Sequence, residues 1–246
     1  MLTYLNNKTA FQRQDTTVAV LPIGALEQHG SHLPVGTDTI IACELAARLA
    51  RRLDAYLLPA LPITCSIEHR KTKGTVYIKA ATLASLIRDI TESLQYSGFR
   101  KLYVVHGHDG NWIVKPTIRE LNREFADIDV MLITMHEARE RMLETGDHPV
   151  SPDIHAGETE TSIMLHLHPD LVGEVHAADQ RQFPPQGDLD YFDMAELTAD
   201  GYWGSPELAT ADKGQRWLDL LEEAALQRIR HIDESRERIE KRQFSN

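Results

Sequence analysis

Two cysteines in 246 residues, Cys43 and Cys65, are too few for a disulfide framework or a cysteine-rich zinc site. Cys43 stands among Ile, Ala and Leu and reads as a small buried hydrophobe. Basic residues are also in deficit, 26 against 37 acidic ones, for a formal net charge of −11. That balance argues against a general binder of nucleic acid or of anionic membranes. No apolar run approaches the ~20 residues needed to span a bilayer. Met1 to Asp15 lacks an apolar core flanked by basic residues, so no secretory signal is expected. A soluble, reducing compartment, the cytoplasm, is the expectation. Internal repeats and low-complexity stretches are missing as well. What remains is near ordinary globular usage, 42% hydrophobic and 26% charged. One domain over residues 1–246 is therefore expected, large enough to hold a core without staples.

Apolar runs alternate with helical patterns along that length. Val18 to Ile23 reads as a strand buried on both faces, Leu102 to Val105 as another buried strand, and Val130 to Thr134 as a strand. Tyr56 to Ile63 and Thr75 to Ile78 are expected as further strands. Helical spacing marks Thr39 to Leu53, Leu83 to Leu94 (with Gly98 as its stop), Ile118 to Phe125, Glu137 to Leu143 and Ser162 to Leu167. Gly146 to Ile154 is expected as a loop, as is most of Asp179 to Pro206, which holds Pro184-Pro185, Gly187, Gly201 and Gly204. A long helix over Leu208 to Arg242 ends the chain in a charge run expected to be a solvated face. The alternation predicts an α/β fold with a mostly parallel sheet and helices on both sides.

Three polar clusters interrupt these elements. The first runs from Glu27-Gln28-His29 to Asp38. In an extended segment Glu27 and His29, two apart, point to the same side, and Asp38 precedes a helical pattern. Carboxylate oxygen with imidazole nitrogen is the ligand mix of Zn²⁺ or Mn²⁺, although a surface loop with a capping aspartate would read the same way. The second, His106 to Asn111, leaves a buried strand, where ligands of open α/β sheets gather. Gly107 and Gly110 allow close approach there, and either His106 or His108 could be a structural histidine. The third is His155-Ala156-Gly157-Glu158-Thr159-Glu160. Glu160 falls in helical phase with Ile163, Met164 and Leu167. Glu158 or Glu160 could equally be a helix cap, a reading His155 does not share.

Together the stretches from Leu21 to Asp38, from Gly107 to Asn111 and from His155 to Ser162 resemble the creatininase family, with a weaker match from Gly204 to Gly214. The resemblance implies a three-layer α/β/α sandwich and two divalent ions per subunit, zinc or manganese. It implies Asp38 as the bridging carboxylate, Glu27 and His108 at one ion, and His29 at the other. Creatinine-hydrolysing members place a glutamate where this chain has Gly110, and Glu158 is the expected replacement. His155 matches a histidine that shuttles a proton, and Glu160 is expected to orient a neighbour. The implied reaction is hydrolysis of a C–N bond in a small (cyclic) amide, with metal-activated hydroxide as nucleophile.

Creatinine itself is disfavoured as substrate. Members specific for it carry tryptophans before the matched histidine, whereas the tryptophans here are Trp112, Trp203 and Trp217. Candidate substrate contacts are Ser66, Gly107 and Asp109. Arg70 and Lys73 stand in a basic run that is either a solvated loop or a steering patch for an anionic substrate. Within the family, deformylation of a nucleotide-like precursor, peptide maturation and a sugar-ring hydrolysis remain alternatives, as does a non-catalytic metal-binding scaffold. Assembly as a homo-oligomer, a hexamer, is expected by resemblance, with the loop over residues 183 to 206 as a contact.

Overall fold

The computed structural model describes residues 1–176 and 183–243; of the expected loop from 179 to 206, residues 179–182 lie outside this range. Five parallel strands form one sheet in the order β1-β3-β2-β4-β5. The two-residue strand β1 (Leu2–Thr3) lies at one edge and β5 (Asp129–Thr134) at the other. Between them run β3 (Tyr56–Leu57), β2 (Val18–Ile23) and β4 (Lys101–His106).

Alternation along the central strands divides the core in two. Ala19, Leu21 and Ile23 of β2, with Leu102 and Val104 of β4, face one side. There they pack on α3 (Ala80–Tyr96) and α4 (Val114–Glu124) through Leu83, Ile87, Ile118 and Leu121. Val20 of β2, with Tyr103 and Val105 of β4, faces the other side. That face is covered by α2 (Thr37–Arg52), α6 (Glu158–Leu167) and α8 (Ala211–Gln243), through Ile41, Leu45, Leu49, Ile163, Trp217 and Leu221. The period-two side chains of each strand thus feed two cores, giving the three-layer α/β/α sandwich. Each fully buried Leu or Ile contributes about 1.5–3 kcal/mol.

Several boundaries differ from those the spacing predicts, each for a physical reason. Over residues 56–63 ladder pairing stops after Leu57, because Pro59 and Pro62 have no N–H to donate. The segment still runs beside β2, with Leu58 and Leu61 donating to Val20 and Pro22 carbonyls. Thr75 to Ile78 stays outside the sheet: Val76 pairs antiparallel with Leu26, and Ile78 donates to Thr64. Helix α6 begins at Glu158 and not at Ser162, because Asp153 accepts from the Glu158 and Thr159 N–H groups and caps its first turn. Two short elements near the N-terminus, β1 and α1 (Lys8–Arg13), carry no strong periodicity. The short helices α5 (Arg139–Thr145) and α7 (Met194–Leu197) complete the set.

The end of α8 is less detached than a purely solvated charge run. Asp233 pairs with Lys101 at 2.7 Å and Arg236 with Asp129, tying the helix to the starts of β4 and β5. Both cysteines are free, and Cys43 is half-buried. Among the described residues no helix is long and apolar enough to cross a membrane.

Candidate metal centre

Register brings the site to one edge of the sheet. Ile23 of β2, His106 of β4 and Thr134 of β5 are level in the ladder, so the segments after β2 and β4 leave side by side at the carboxyl ends of the strands. Gly107 donates its N–H to Ile23 and passes so close to α2 that a Cβ would sit 2.5 Å from the Asp38 carbonyl. It therefore presses the strand end against the start of α2 and serves as backbone packing of the site.

Four side chains from these strand ends meet, all buried: Glu27, His29, Asp38 and His108. Asp38 sits in the first turn of α2, where the helix dipole favours its charge. It reaches both histidines, with Oδ1 3.0 Å from His29 Nε2 and Oδ2 3.3 Å from His108 Nδ1. Glu27 Oε2 lies 3.1 Å from His108 Nε2. His29 donates Nδ1–H to the Glu27 carbonyl at 3.1 Å, which leaves Nε2 as the nitrogen that faces the cluster.

Two loops bring further groups. The 3₁₀ turn Ile67–His69 presents Glu68, whose Oε1 is 3.5 Å from His108 Nε2, and His69, whose Nε2 is 3.5 Å from Glu27 Oε1. Gly110 makes room for Glu68: a Cβ there would lie 1.9 Å from Glu68 Oε1 and 2.3 Å from His108 Nε2. From the other side His155 places Nδ1 3.4 Å from Glu27 Oε1, its backbone bridged to the buried Trp203.

The third polar cluster divides its carboxylates differently from expectation. Glu158 is buried but turned away from the site; Lys213 Nζ donates to its Oε1 at 2.5 Å and Val150 N–H to its Oε2 at 2.8 Å. Glu160 instead stands beside His29, with Oε2 3.8 Å from Nε2 and accepting the Ala156 N–H. Residues two apart on a helix lie about 200° apart around its axis, so the two glutamates cannot share a face. The replacement of Gly110 by Glu158 is thus not what the geometry offers; Glu68 and Glu160 are the additional carboxylates.

Other candidates lie elsewhere. Ser66 is buried, with Oγ donating to the Cys65 carbonyl at 2.5 Å. Asp109 turns outward to His136 at 2.8 Å. Arg70 is tied to Asp193 at 3.1 Å, and Lys73 lies exposed on the turn before Gly74. His106 is buried below the cluster, with no hydrogen-bond partner at either ring nitrogen among the described residues. Glu68 and His69 went unsingled in the sequence although they directly precede the basic run; a Glu-His pair ahead of Arg70 was the available signal.

The electrostatics of the cluster favour a cation. Burial alone would keep His29 and His108 neutral, yet Asp38 beside His29 and Glu27 beside His108 push each imidazole up to about 10. Burial and the nearby Asp38 raise Glu27 above the usual carboxylate range. Burial, against the pull of His29, pushes Glu160 up to about 8. Among the described residues, both Glu27 oxygens, Asp38 Oδ2 and His108 Nε2 are buried without hydrogen-bond partners. Orphaned acceptors are rare in protein interiors, and here they converge. Three overlapping triads place their ligand atoms within 4.8 Å of one another: Glu27-His29-His155, Glu27-Glu68-His108 and His29-Asp38-Glu160. Oxygen and imidazole donors in this mixture suit zinc or manganese.

A parallel α/β sandwich with such a cluster at the strand ends defines a class of candidate metal-dependent enzymes, and comparison with known proteins makes it particular. The creatininase family model, described as creatinine amidohydrolase, matches residues 3–229. The chain is 30% identical over 231 residues to a creatinine amidohydrolase of Pseudomonas putida, covering 87% of this chain and 88% of that one. It is 31% identical over 242 residues to a mycofactocin precursor peptide peptidase of Mycobacterium tuberculosis (strain ATCC 25618 / H37Rv), covering 92% and 90%. A solved structure named creatininase Mn superposes with a TM-score of 0.77 at 27% identity, covering 94% of this chain and 98% of that one. The chain belongs to the creatininase family, and it is a hydrolase.

Proposed function

We propose that this protein is a dinuclear metal-dependent amidohydrolase that cleaves the C–N bond of a small, uncharged amide. The observation that carries the reading is the convergence of orphaned buried ligand atoms on Glu27, Asp38 and His108, within reach of Glu68, His29 and Glu160. Glu27, Glu68 and His108 would hold one divalent ion, His29 and Glu160 the other, and Asp38 would touch both. A pair of such ions supplies Lewis acidity, lowering the pKa of water and polarising a carbonyl.

The chain's own groups do the rest. His155 donates Nε2–H to the Gln28 carbonyl at 2.7 Å, which leaves Nδ1 bare and aimed at the cluster. It accepts a proton from the attacking water at Nδ1 and returns it to the leaving nitrogen, as a positioned imidazole does in acid–base catalysis. Burial and the neighbouring His29 and His69 hold the His155 pKa well below its usual value, so the ring starts neutral. Glu160 offers an oxygen of its own beside His29, 3.8 Å from Nε2, while the Glu27 carbonyl orients the ring at Nδ1.

An uncharged substrate is favoured because Arg70 and Lys71 are engaged by Asp193, and Lys71 also by Glu196, so two of the three cations in the run are met by carboxylates, while Lys73 lies exposed on the turn before Gly74. Metal analysis followed by a screen of cyclic amides, lactams and formamides tests the reading. Two ions per chain and C–N hydrolysis are the expected result. A chain that takes up no zinc or manganese and turns over none of these overturns it.

A further inference from the structure

The two histidines that approach Glu27 from the loops, His69 and His155, have ring centroids 4.5 Å apart and share one neighbour, Gln28. The partners of Gln28 fix which way its amide points. Oε1 accepts the Gly30 N–H at 2.9 Å, and Nε2 donates to the Gly201 carbonyl at 2.6 Å. The flipped amide would set oxygen against oxygen and NH₂ against N–H. One amide hydrogen therefore remains, for a nitrogen that can accept it.

Two ring nitrogens compete for it. His155 Nε2 lies 3.2 Å from Gln28 Nε2, but it already carries a hydrogen directed at the Gln28 carbonyl 2.7 Å away, so it cannot accept. His69 Nδ1, at 2.9 Å, takes the amide hydrogen. A ring that accepts at Nδ1 carries its proton on Nε2, and that atom faces Glu27 Oε1 at 3.5 Å. His155 meets the same oxygen with its bare Nδ1 at 3.4 Å. One residue thus sets two adjacent imidazoles in opposite tautomers, one presenting a lone pair and the other an N–H to the same point.

We propose that His69 is a catalytic hydrogen-bond donor, its Nε2–H meeting the substrate's carbonyl oxygen as negative charge gathers there, and that Gln28 is the positioning residue that fixes this tautomer. The donor moves no proton: water's O–H bond breaks to His155 as its oxygen bonds the carbonyl carbon, the C–N bond then breaks with that proton on the departing nitrogen, and His69 keeps its own. A prearranged donor aimed at developing charge acts in the transition state more than in the ground state. The proposal rests on the amidohydrolase reading above and adds to it a donor that belongs to the protein.

Its test uses the zinc-loaded protein and the amide that the wild type hydrolyses. Ring ¹⁵N spectra should show His69 protonated at Nε2 and bare at Nδ1; Gln28→Glu, which can no longer donate, should shift that proton to Nδ1. His69→Leu should lower kcat about 100–1000-fold, the range for loss of one oxyanion donor, with KM and bound zinc unchanged. His69→Gln, which keeps an N–H at a similar reach, should recover part of the loss. A His69 protonated at Nδ1 in the wild type, an unchanged kcat in His69→Leu, or loss of zinc from that variant overturns the proposal. A wild type without zinc and without turnover overturns the amidohydrolase reading and this proposal with it.

Discussion

Glu158 and Glu160 stand two residues apart, and exchanging their charges separates a structural carboxylate from a ligand. Glu160→Gln is nearly isosteric but removes one oxygen donor from the triad with His29 and Asp38. Its affinity for zinc should fall by about 10–100-fold or more, the scale for losing a group that holds or orients a ligand. Stability of the metal-free protein should move the other way. Burial pushes the Glu160 carboxyl from 4.5 up to about 8. An acid whose pKa is raised on folding costs nothing below its unfolded pKa, and its cost grows with pH until the folded pKa is passed. At pH 7 that cost is on the order of 3 kcal/mol, and Glu160→Gln relieves it.

Lys213→Met should do the reverse. Glu158 is 1% exposed and its partner Lys213 31% exposed, with 2.5 Å between Nζ and Oε1. Removing the lysine leaves a buried carboxylate with the Val150 N–H as its donor among the described residues, at a cost of about 2–3 kcal/mol. For a chain of this size that lowers Tm by roughly 4–12 °C, while zinc binding stays unchanged. Chelator competition for zinc and melting of the chelator-treated proteins read the two quantities separately. Zinc loss in Lys213→Met together with full zinc retention in Glu160→Gln would refute the assignment of both carboxylates.

Gly110→Ala drives a methyl into Glu68 and His108 and should cost about 10–100-fold in metal affinity with the fold intact by circular dichroism; unchanged affinity would mean that Glu68 does not need that space. Zinc binding should release protons, because burial is outweighed by Asp38 at His29 and by Glu27 at His108, raising both imidazoles to about 10. Two departing protons make affinity climb by up to about 100-fold from pH 7 to pH 8, and titrations in buffers of different ionisation enthalpy would expose a failure to release any. Arg70→Ala breaks a half-exposed pair with Asp193 and should lower stability by about 1 kcal/mol or less, with KM for an uncharged amide unaffected. Leu45→Ala, at a fully buried position between α2 and the sheet, should cost about 2–5 kcal/mol in urea unfolding.

The parts of the fold that chain pattern reveals are those whose burial is complete. Val18 to Ile23 and Leu102 to Val105 are apolar on both faces because both faces are covered, and a continuous run announces that. Strands β1 and β3 are two residues long and owe their pairing to β2, so nothing within them marks them. The site divides in the same way. Glu27, His29, Asp38 and His108 follow strands or open a helix, and such positions are visible in advance. Glu68 and His69 become neighbours of Glu27 only when the loop after Pro62 folds back, a contact across about forty residues that no local spacing records. At α6 two guides disagreed. Helical phase links Glu160 to Ile163 and Met164, whereas the motif pointed to Glu158; the axis of α6 makes phase the better guide.

This division has a consequence for what the fold can be asked to do. The groups at the strand ends are locked by ladder register and by the close pass of Gly107 over α2, so their mutual distances change little when loops change. His69, His155 and Gln28 are set by contacts between loops: Gln28 reaches Gly201, His155 is bridged to Trp203, and the turn carrying Glu68 is tethered through Arg70 to Asp193. Altering the segment from 193 to 204 would therefore shift the hydrogen-bonding groups of the loops before it disturbed the candidate metal-binding cluster. Chemistry fixed by the scaffold and selectivity carried by loops is the general arrangement of α/β enzymes. It gives a physical reason why one chain can be similar both to a protein named creatinine amidohydrolase and to one named mycofactocin precursor peptide peptidase. A chimera that replaces residues 193–204 should accordingly keep its zinc and change its substrate, and a chimera that loses zinc first would show that the loop, and not the sheet, holds the ions.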